Sequence, residues 1–251
     1  MSIALSVNLN KIALIRNSRE GNYPDVTQFG RTCLKLGAAG LTVHPRPDQR
    51  HIKPHDVISL GGLRNQYPNT EFNIEGNPFA AAQGDYPGLL ALVEQTRPEQ
   101  CTLVPDSNQQ KTSDHGFNLT LDGDRLAPII AKLKALNTRV SLFMDPDIDQ
   151  IERAKQIGAD RIELYTGPFA WQYQQDKQQG EIAFTEHIKA AQAAEQLGLG
   201  INAGHDLNLD NMTLYKTLPS LQEVSIGHAL TVDALEMGYE NAVKAYLALC
   251  K

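Results

Sequence analysis

The chain has 251 residues, of which 41% are apolar, and a formal net charge of −6. That acidic balance argues against a nucleic-acid partner, which is held by clustered Lys and Arg, and no apolar run reaches the roughly 18 to 20 residues that span a bilayer. Cys33, Cys101 and Cys250 are widely spaced and odd in number, which fits neither a disulfide framework nor a zinc motif. The cysteines are therefore read as reduced and structural. The N-terminus carries neither a basic leader nor a cleavage-site pattern, so the expectation is a soluble protein located by default in the cytoplasm.

Along the chain, short β-branched or apolar runs alternate with longer helical patterns, the signal of βα units and a parallel sheet. Strands are predicted at residues 3–8, 40–44, 71–75, 101–105, 139–145, 161–165, 200–203 and 223–226. Helices are predicted at 23–36, 54–66, 86–96, 121–136, 148–157, 182–197, 207–217 and 232–249. The segments "LGAAG", "QIGAD" and "QLGLG" each put Gly just past a last helical turn, where a left-handed C-terminal residue is favoured, and then lead into a strand. Eight such units, at the length of one barrel, predict an α/β fold: a single-domain (β/α)8 TIM barrel over residues 1–251. Two connections are long, 105–120 and 166–181. The second contains "WQYQQDKQQG" and reads as a mobile or helical flap, closing on substrate or merely solvated.

In such a barrel the reacting groups project from the C-terminal ends of the strands. Here those ends carry Asn8, His44, Glu75, Asp145, Glu163, His205 and His228, against apolar strand interiors. A lone His or Glu at a strand end is as readily a loop hydrogen-bonder as a catalyst. Carboxylates and imidazoles gathered at one mouth point instead to acid–base chemistry, because buried charges are costly unless paired or used.

"NAGH" at 202–205 and "IGHAL" at 226–230 close the seventh and eighth strands, where barrels commonly hold a phosphate on glycine amides and a helix N-terminus. Arg19, Arg46 and Arg50 lie in the first two βα connections, suited to clamping a second anion. The first strand ends "NLN" and lacks the His-x-His pair of many metal-dependent barrels, so no metal site is expected. Neither a Gly-x-Gly-x-x-Gly fingerprint nor a Walker loop calls for a nucleotide.

Eight segments run in order over nearly the whole chain: "VNLNKIALIRNSR" (7–19), "TVHPRPDQRHI" (42–52), "NIEGNP" (73–78), "LVPD" (103–106) before "QKTSDHG" (110–116), "IELYTG" (162–167), "NAGHDLN" (202–208) and "SIGHAL" (225–230). Together they resemble the pyridoxine 5′-phosphate synthase family, which closes the pyridine ring in vitamin B6 biosynthesis. The resemblance implies condensation of 3-amino-2-oxopropyl phosphate (1-amino-acetone 3-phosphate) with 1-deoxy-D-xylulose 5-phosphate, releasing inorganic phosphate and water without metal or organic cofactor. It implies that His44 and Glu75 are general bases, His205 a proton donor, and Glu163 a stabiliser of positive charge on the condensing nitrogen. It assigns Asn8, Arg19, the Asp206 backbone, Gly227 and His228 to the amino-ketone phosphate, and Asn10, Lys11, Arg46, His51 and Thr112 to the sugar phosphate.

The match has departures. Many members have Asp-His where this chain has Asn10 and Lys11, and Gly where it has Asp206. Asp206 is expected to turn its side chain away from the phosphate and offer only its N–H. The resemblance also implies a homo-oligomer, often an octamer built from dimers. His55, His115 and His187 lie away from strand ends and are expected to be dispensable. Two other readings stay open: a different phosphosugar lyase or isomerase on the same barrel, and a non-catalytic barrel that binds a phosphorylated metabolite.

Overall fold

The eight strands form in the predicted order and close on themselves, β8 pairing with β1, in a computed structural model that describes residues 2–251. Met1, included in the predicted domain, lies outside the described residues. The strands are β1 (Ala4–Asn8), β2 (Gly40–Val43), β3 (Glu71–Gly76), β4 (Gln100–Leu103), β5 (Arg139–Met144), β6 (Arg161–Tyr165), β7 (Gly200–Gly204) and β8 (Leu221–Ile226). Every pairing is parallel, and each strand neighbours the next in sequence. All the C-terminal strand ends, with the side chains singled out above, therefore open at one rim.

The surrounding helices are α1 (Asn10–Asn17), α2 (Val26–Leu36), α3 (Pro54–Gly61), α4 (Leu89–Thr96), α5 (Leu119–Ala135), α6 (Ile148–Gln156), α7 (Gly167–Gln175), α8 (Lys177–Gln196), α9 (Met212–Tyr215), α10 (His228–Met237) and α11 (Tyr239–Leu249). The three glycine stops act as expected: Gly37, Gly158 and Gly198 have φ of 101°, 93° and 69°, in the left-handed region that glycine enters without a Cβ clash. The stretch predicted as one helix over 232–249 is two, because Gly238 at φ 82° and ψ 148° breaks the helical path.

The 166–181 connection is helical rather than a free flap. It holds α7 and the start of α8, and Phe169 of α7 is buried against Phe184, His187 and Tyr215. His187 belongs to this packing, its Nδ1 lying 2.9 Å from the Tyr215 hydroxyl. Among the described residues no helix is long and apolar enough to cross a membrane.

The strand interiors, read as apolar, are apolar on one face only. Their apolar residues, such as Leu5, Val7, Leu41, Val43, Ile162 and Leu164, belong to the buried core shared with the helices. Many of the alternate residues are polar and face the barrel axis. Gln100 of β4 donates to Glu223 of β8 at 3.4 Å and accepts from Asn202 of β7 at 3.2 Å, contacts that only the barrel interior permits between non-adjacent strands. Ser6, Thr42, Asn73 and Thr102 continue the ring from β1 to β4 through side-chain hydrogen bonds of 2.7, 3.4 and 3.1 Å. Polar groups buried this way lose little, since each finds a partner.

Candidate active site

At the C-terminal rim a cavity of about 330 Å³ is lined by thirteen of the fourteen residues predicted for the site: Asn8, Asn10, Lys11, His44, Arg46, His51, Glu75, Thr112, Glu163, His205, Asp206, Gly227 and His228. The fourteenth, Arg19, is placed elsewhere. It follows α1 and is exposed, its guanidinium donating to the Ser18 carbonyl at 3.0 Å. Asp145, at the end of β5, is also absent from the lining and instead accepts from the Gly116 N–H at 3.1 Å.

Buried His44 lies between two carboxylates, its Nδ1 3.6 Å from Glu75 Oε2 and its Nε2 3.2 Å from Asp106 Oδ2. Burial alone would push the imidazole down, yet Asp106 and Glu75 win and raise it to about 9. At neutral pH the ring is therefore charged before substrate arrives. Asp106, despite its own burial, is held down to about 2 by His44 and by Arg46, whose guanidinium it accepts. His51 behaves oppositely: burial and the positive charges of His44, Arg46, Lys11 and Arg50 depress it to about 3, so it is neutral. Its Nδ1 accepts from the Ile52 N–H at 3.0 Å, so the proton sits on Nε2.

Arg46 and Arg50 do more than face an anion. Arg46 donates to the Gln110 carbonyl at 2.9 Å, and Arg50 to the Gln110 and Asn108 carbonyls at 2.7 Å each. They thereby stitch the 44–53 connection to the 105–120 connection, which carries Thr112 over the mouth. At its far end that connection is pinned where Gly116 rests on the backbone of Met144 and Asp145, a space that a Cβ would fill. Gly116→Ala is expected to cost about 1–3 kcal/mol of stability, as overpacking does, and to raise KM by displacing Thr112. Thermal melts and steady-state kinetics check both.

On the opposite wall sits Glu163 of β6, buried at 4% exposure. Burial, then the charges of Glu75 and Glu223, raise its carboxyl well above the ordinary range, so it keeps its proton to higher pH than a free carboxyl does. Beside it, His205 Nε2 lies 2.8 Å from Thr112 Oγ1 and His205 Nδ1 donates to Asp206 Oδ2 at 2.8 Å. The Asp206 side chain is thus held by a hydrogen-bond donor next door. At the end of β8, Gly227 passes so close to Asn8 that a Cβ would come within 2.9 Å of it, and α10 then starts at the rim with His228. The first amides of α10 have no intrahelical acceptors, which suits a phosphate.

Several site-building residues escape the sequence reading. Arg16 and Asp56 form a buried pair beneath the 44–53 connection, and Asn17 donates to the carbonyls of Arg50 and His51 at 3.1 and 2.7 Å. Asn10, already among the predicted residues, has a second contact: it accepts from the His44 N–H at 2.9 Å and so braces the end of β2. Asp106 carried a legible signal, a carboxylate directly after the fourth strand. The others did not, because their partners are remote in sequence. Among the described residues no cluster of His, Cys, Asp and Glu has the arrangement of a metal site.

A family model described as pyridoxal phosphate biosynthesis protein PdxJ matches residues 5–251. The pyridoxine 5′-phosphate synthase of Xanthomonas campestris pv. campestris (strain B100) is 54% identical over 250 residues, 99% of this chain and 96% of that one. That of Brucella abortus (strain S19) is 52% identical over 249 residues, 98% of each chain. Among solved structures, 3-hexulose-6-phosphate synthase from Salmonella typhimurium superposes with a TM-score of 0.64 at 14% identity, covering 100% of this chain and 98% of its own. That likeness concerns the barrel alone. Sequence identity above one half, sustained from end to end and joined to the family match, establishes that the chain belongs to the PdxJ family of pyridoxal phosphate biosynthesis proteins.

Proposed function

We propose that this chain is an enzyme of vitamin B6 biosynthesis that condenses 3-amino-2-oxopropyl phosphate with 1-deoxy-D-xylulose 5-phosphate to pyridoxine 5′-phosphate, releasing inorganic phosphate and water. The observation that carries this reading is the convergence of thirteen residues matched to the family's motifs on one cavity. Imine formation, loss of water and phosphate, and ring closure require proton transfers at several atoms, and so several positioned acids and bases. The amino-ketone phosphate is read onto the α10 end, near Asn8, Gly227 and His228, and the sugar phosphate near Lys11, Arg46, His51 and Thr112.

The charge states refine the roles. His44 enters the cycle as an imidazolium, so it gives a proton before it can accept one, and the Glu75 carboxyl lies 3.6 Å from its Nδ1. Neutral His51 offers its Nε2–H to a substrate oxygen. Glu163 begins protonated and becomes the counter-ion when positive charge develops on nitrogen. His205 gives its Nε2 proton to a departing oxygen. The same proposal includes action in the cytoplasm and assembly into a homo-octamer, a tetramer of dimers.

The test is to incubate chelator-treated protein with both phosphates and follow pyridoxine phosphate absorbance and released phosphate together. Equal amounts of both support the reading. Phosphate without the pyridine chromophore points to another phosphosugar enzyme, and tight binding of both compounds without either product points to a binding barrel.

A further inference from the structure

We propose that Asp206 is a positioning residue whose carboxylate fixes His205 in the Nδ1–H tautomer and presents Nε2 to the cavity. The consequence for turnover rests on the reading of His205 as proton donor; the tautomer itself does not.

The backbone carries the first part of the argument. His205 and Asp206 are successive non-glycine residues at φ 89° and 59°, a conformation that side chains rarely adopt and that persists only where surroundings impose it. Two buried side chains from other elements impose it here. Thr166, which follows β6, donates through its hydroxyl to the Gly204 carbonyl at 2.7 Å and also reaches the His205 carbonyl. Asn211, just before α9, donates to the Asp206 carbonyl at 3.1 Å while its own oxygen accepts from the Asn208 N–H at 2.8 Å. Clamped from both sides, this turn sets the side chains of residues 205 and 206 against each other.

The ring is then held at three points. Nδ1 donates to Asp206 Oδ2 at 2.8 Å, the Tyr165 ring meets the imidazole edge-on at 5.3 Å between centroids, and Nε2 meets Thr112 Oγ1 at 2.8 Å. A hydroxyl both donates and accepts, so Thr112 partners Nε2 with or without its proton. Asp206 is more one-sided. Burial would raise it, but the hydrogen bond from His205 and the charges of His205, His228 and Lys11 bring it below the ordinary carboxyl range. As a carboxylate it only accepts, and so selects the ring with hydrogen on Nδ1. The proton balance follows: the imidazolium passes its Nε2 proton to the substrate oxygen, the C–O bond breaks with its electron pair on that oxygen, and the ring left behind is the Nδ1–H tautomer that Asp206 holds.

Asp206→Gly removes the carboxylate and tolerates φ 59° without strain, so loss of the fold does not confound the result. In histidine-labelled protein, 15N spectra of neutral His205, assigned through His205→Gln, are expected to show a protonated Nδ1 in the parent and a mixture of tautomers in Asp206→Gly. Turnover is expected to fall about 10- to 100-fold, less than removal of a general acid itself, with KM for either substrate nearly unchanged. Asp206→Asn, whose amide can accept from Nδ1 or donate to it, keeps a hydrogen-bonding partner of the same shape but is expected to leave a mixture of tautomers as well. A parent spectrum with hydrogen on Nε2, or a spectrum unchanged in Asp206→Gly, overturns the proposal. A changed tautomer with unchanged turnover supports Asp206 as what sets the ring and removes His205 from the chemistry.

Discussion

Glu163→Gln is expected to lower turnover by about 10²- to 10⁴-fold, the range of a lost acid–base group, with KM little changed and with higher thermal stability at pH 8. The substitution keeps shape and removes only the ability to ionise. In the free protein that ability is opposed, because burial and the charges of Glu75 and Glu223 raise the carboxyl well above its ordinary range. In the proposed reaction a positive charge on the condensing nitrogen reverses the balance: the carboxyl gives its proton to the substrate oxygen that leaves as water, and its remaining charge stabilises the cation in a site removed from water.

The same physics fixes the sign of the pH effect. The unfolded chain releases this proton near 4.5, whereas the folded chain retains it to a higher pH. The folded state thus binds more protons across that interval, and stability falls as pH rises through it. Glutamine abolishes this slope. His44, raised from 6.5 to about 9, leaves a second decline across that window in both proteins. Melting curves from pH 5 to 9 beside steady-state kinetics check the prediction: parallel stability profiles contradict a protonated Glu163, and unchanged turnover removes its role in the reaction.

The rim was legible because a parallel barrel puts every strand's C-terminal end on one side. A polar residue closing a strand can then be placed without knowing its neighbours, which explains why His44, Glu75, Glu163 and His205 meet as expected. The barrel axis was less legible. Alternating strands show which residues share a face but not which face is inward, and here the apolar set faces the helices while Gln100, Asn202 and Glu223 fill the centre. Helix α1 escaped notice because its buried residues include Arg16 beside Ile12 and Ala13, while Leu14 and Ile15 are exposed; the apolar stripe on which helix prediction depends is broken at both ends of the scale. Arg19 was assigned from its place in the first βα connection and by motif, with no strand end to anchor it, and lies off the cavity.

The residues hidden by that broken pattern account for the second large effect. Arg16→Ala is expected to cost about 3–5 kcal/mol, because breaking a buried ion pair strands the remaining charge; at roughly 2–4 °C per kcal/mol for a chain of this size, the melting temperature falls accordingly. Arg16 and Asp56 are 2% and 3% exposed and meet through a two-pronged contact. Asp56 also accepts from the Lys53 N–H at 2.8 Å, which starts α3, while Arg16 reaches the His51 carbonyl at 3.3 Å. The pair therefore joins the end of α1 to the stretch carrying Arg46 and His51, and its loss is expected to raise KM for the sugar phosphate more than for the amino-ketone phosphate. Arg16→Met combined with Asp56→Leu separates the two consequences. An apolar pair removes the stranded charge and regains stability, since well-packed hydrophobic replacements of buried ion pairs are often neutral or better, but it loses both Arg16's contact to the His51 carbonyl and the two hydrogen bonds, at 3.1 Å each, that orient Asn17 toward the same carbonyl. A double variant that melts like the parent yet keeps the raised KM shows that the buried pair acts on the site through the 44–53 connection. An Arg16→Ala protein within 1 kcal/mol of the parent contradicts the stranded-charge argument.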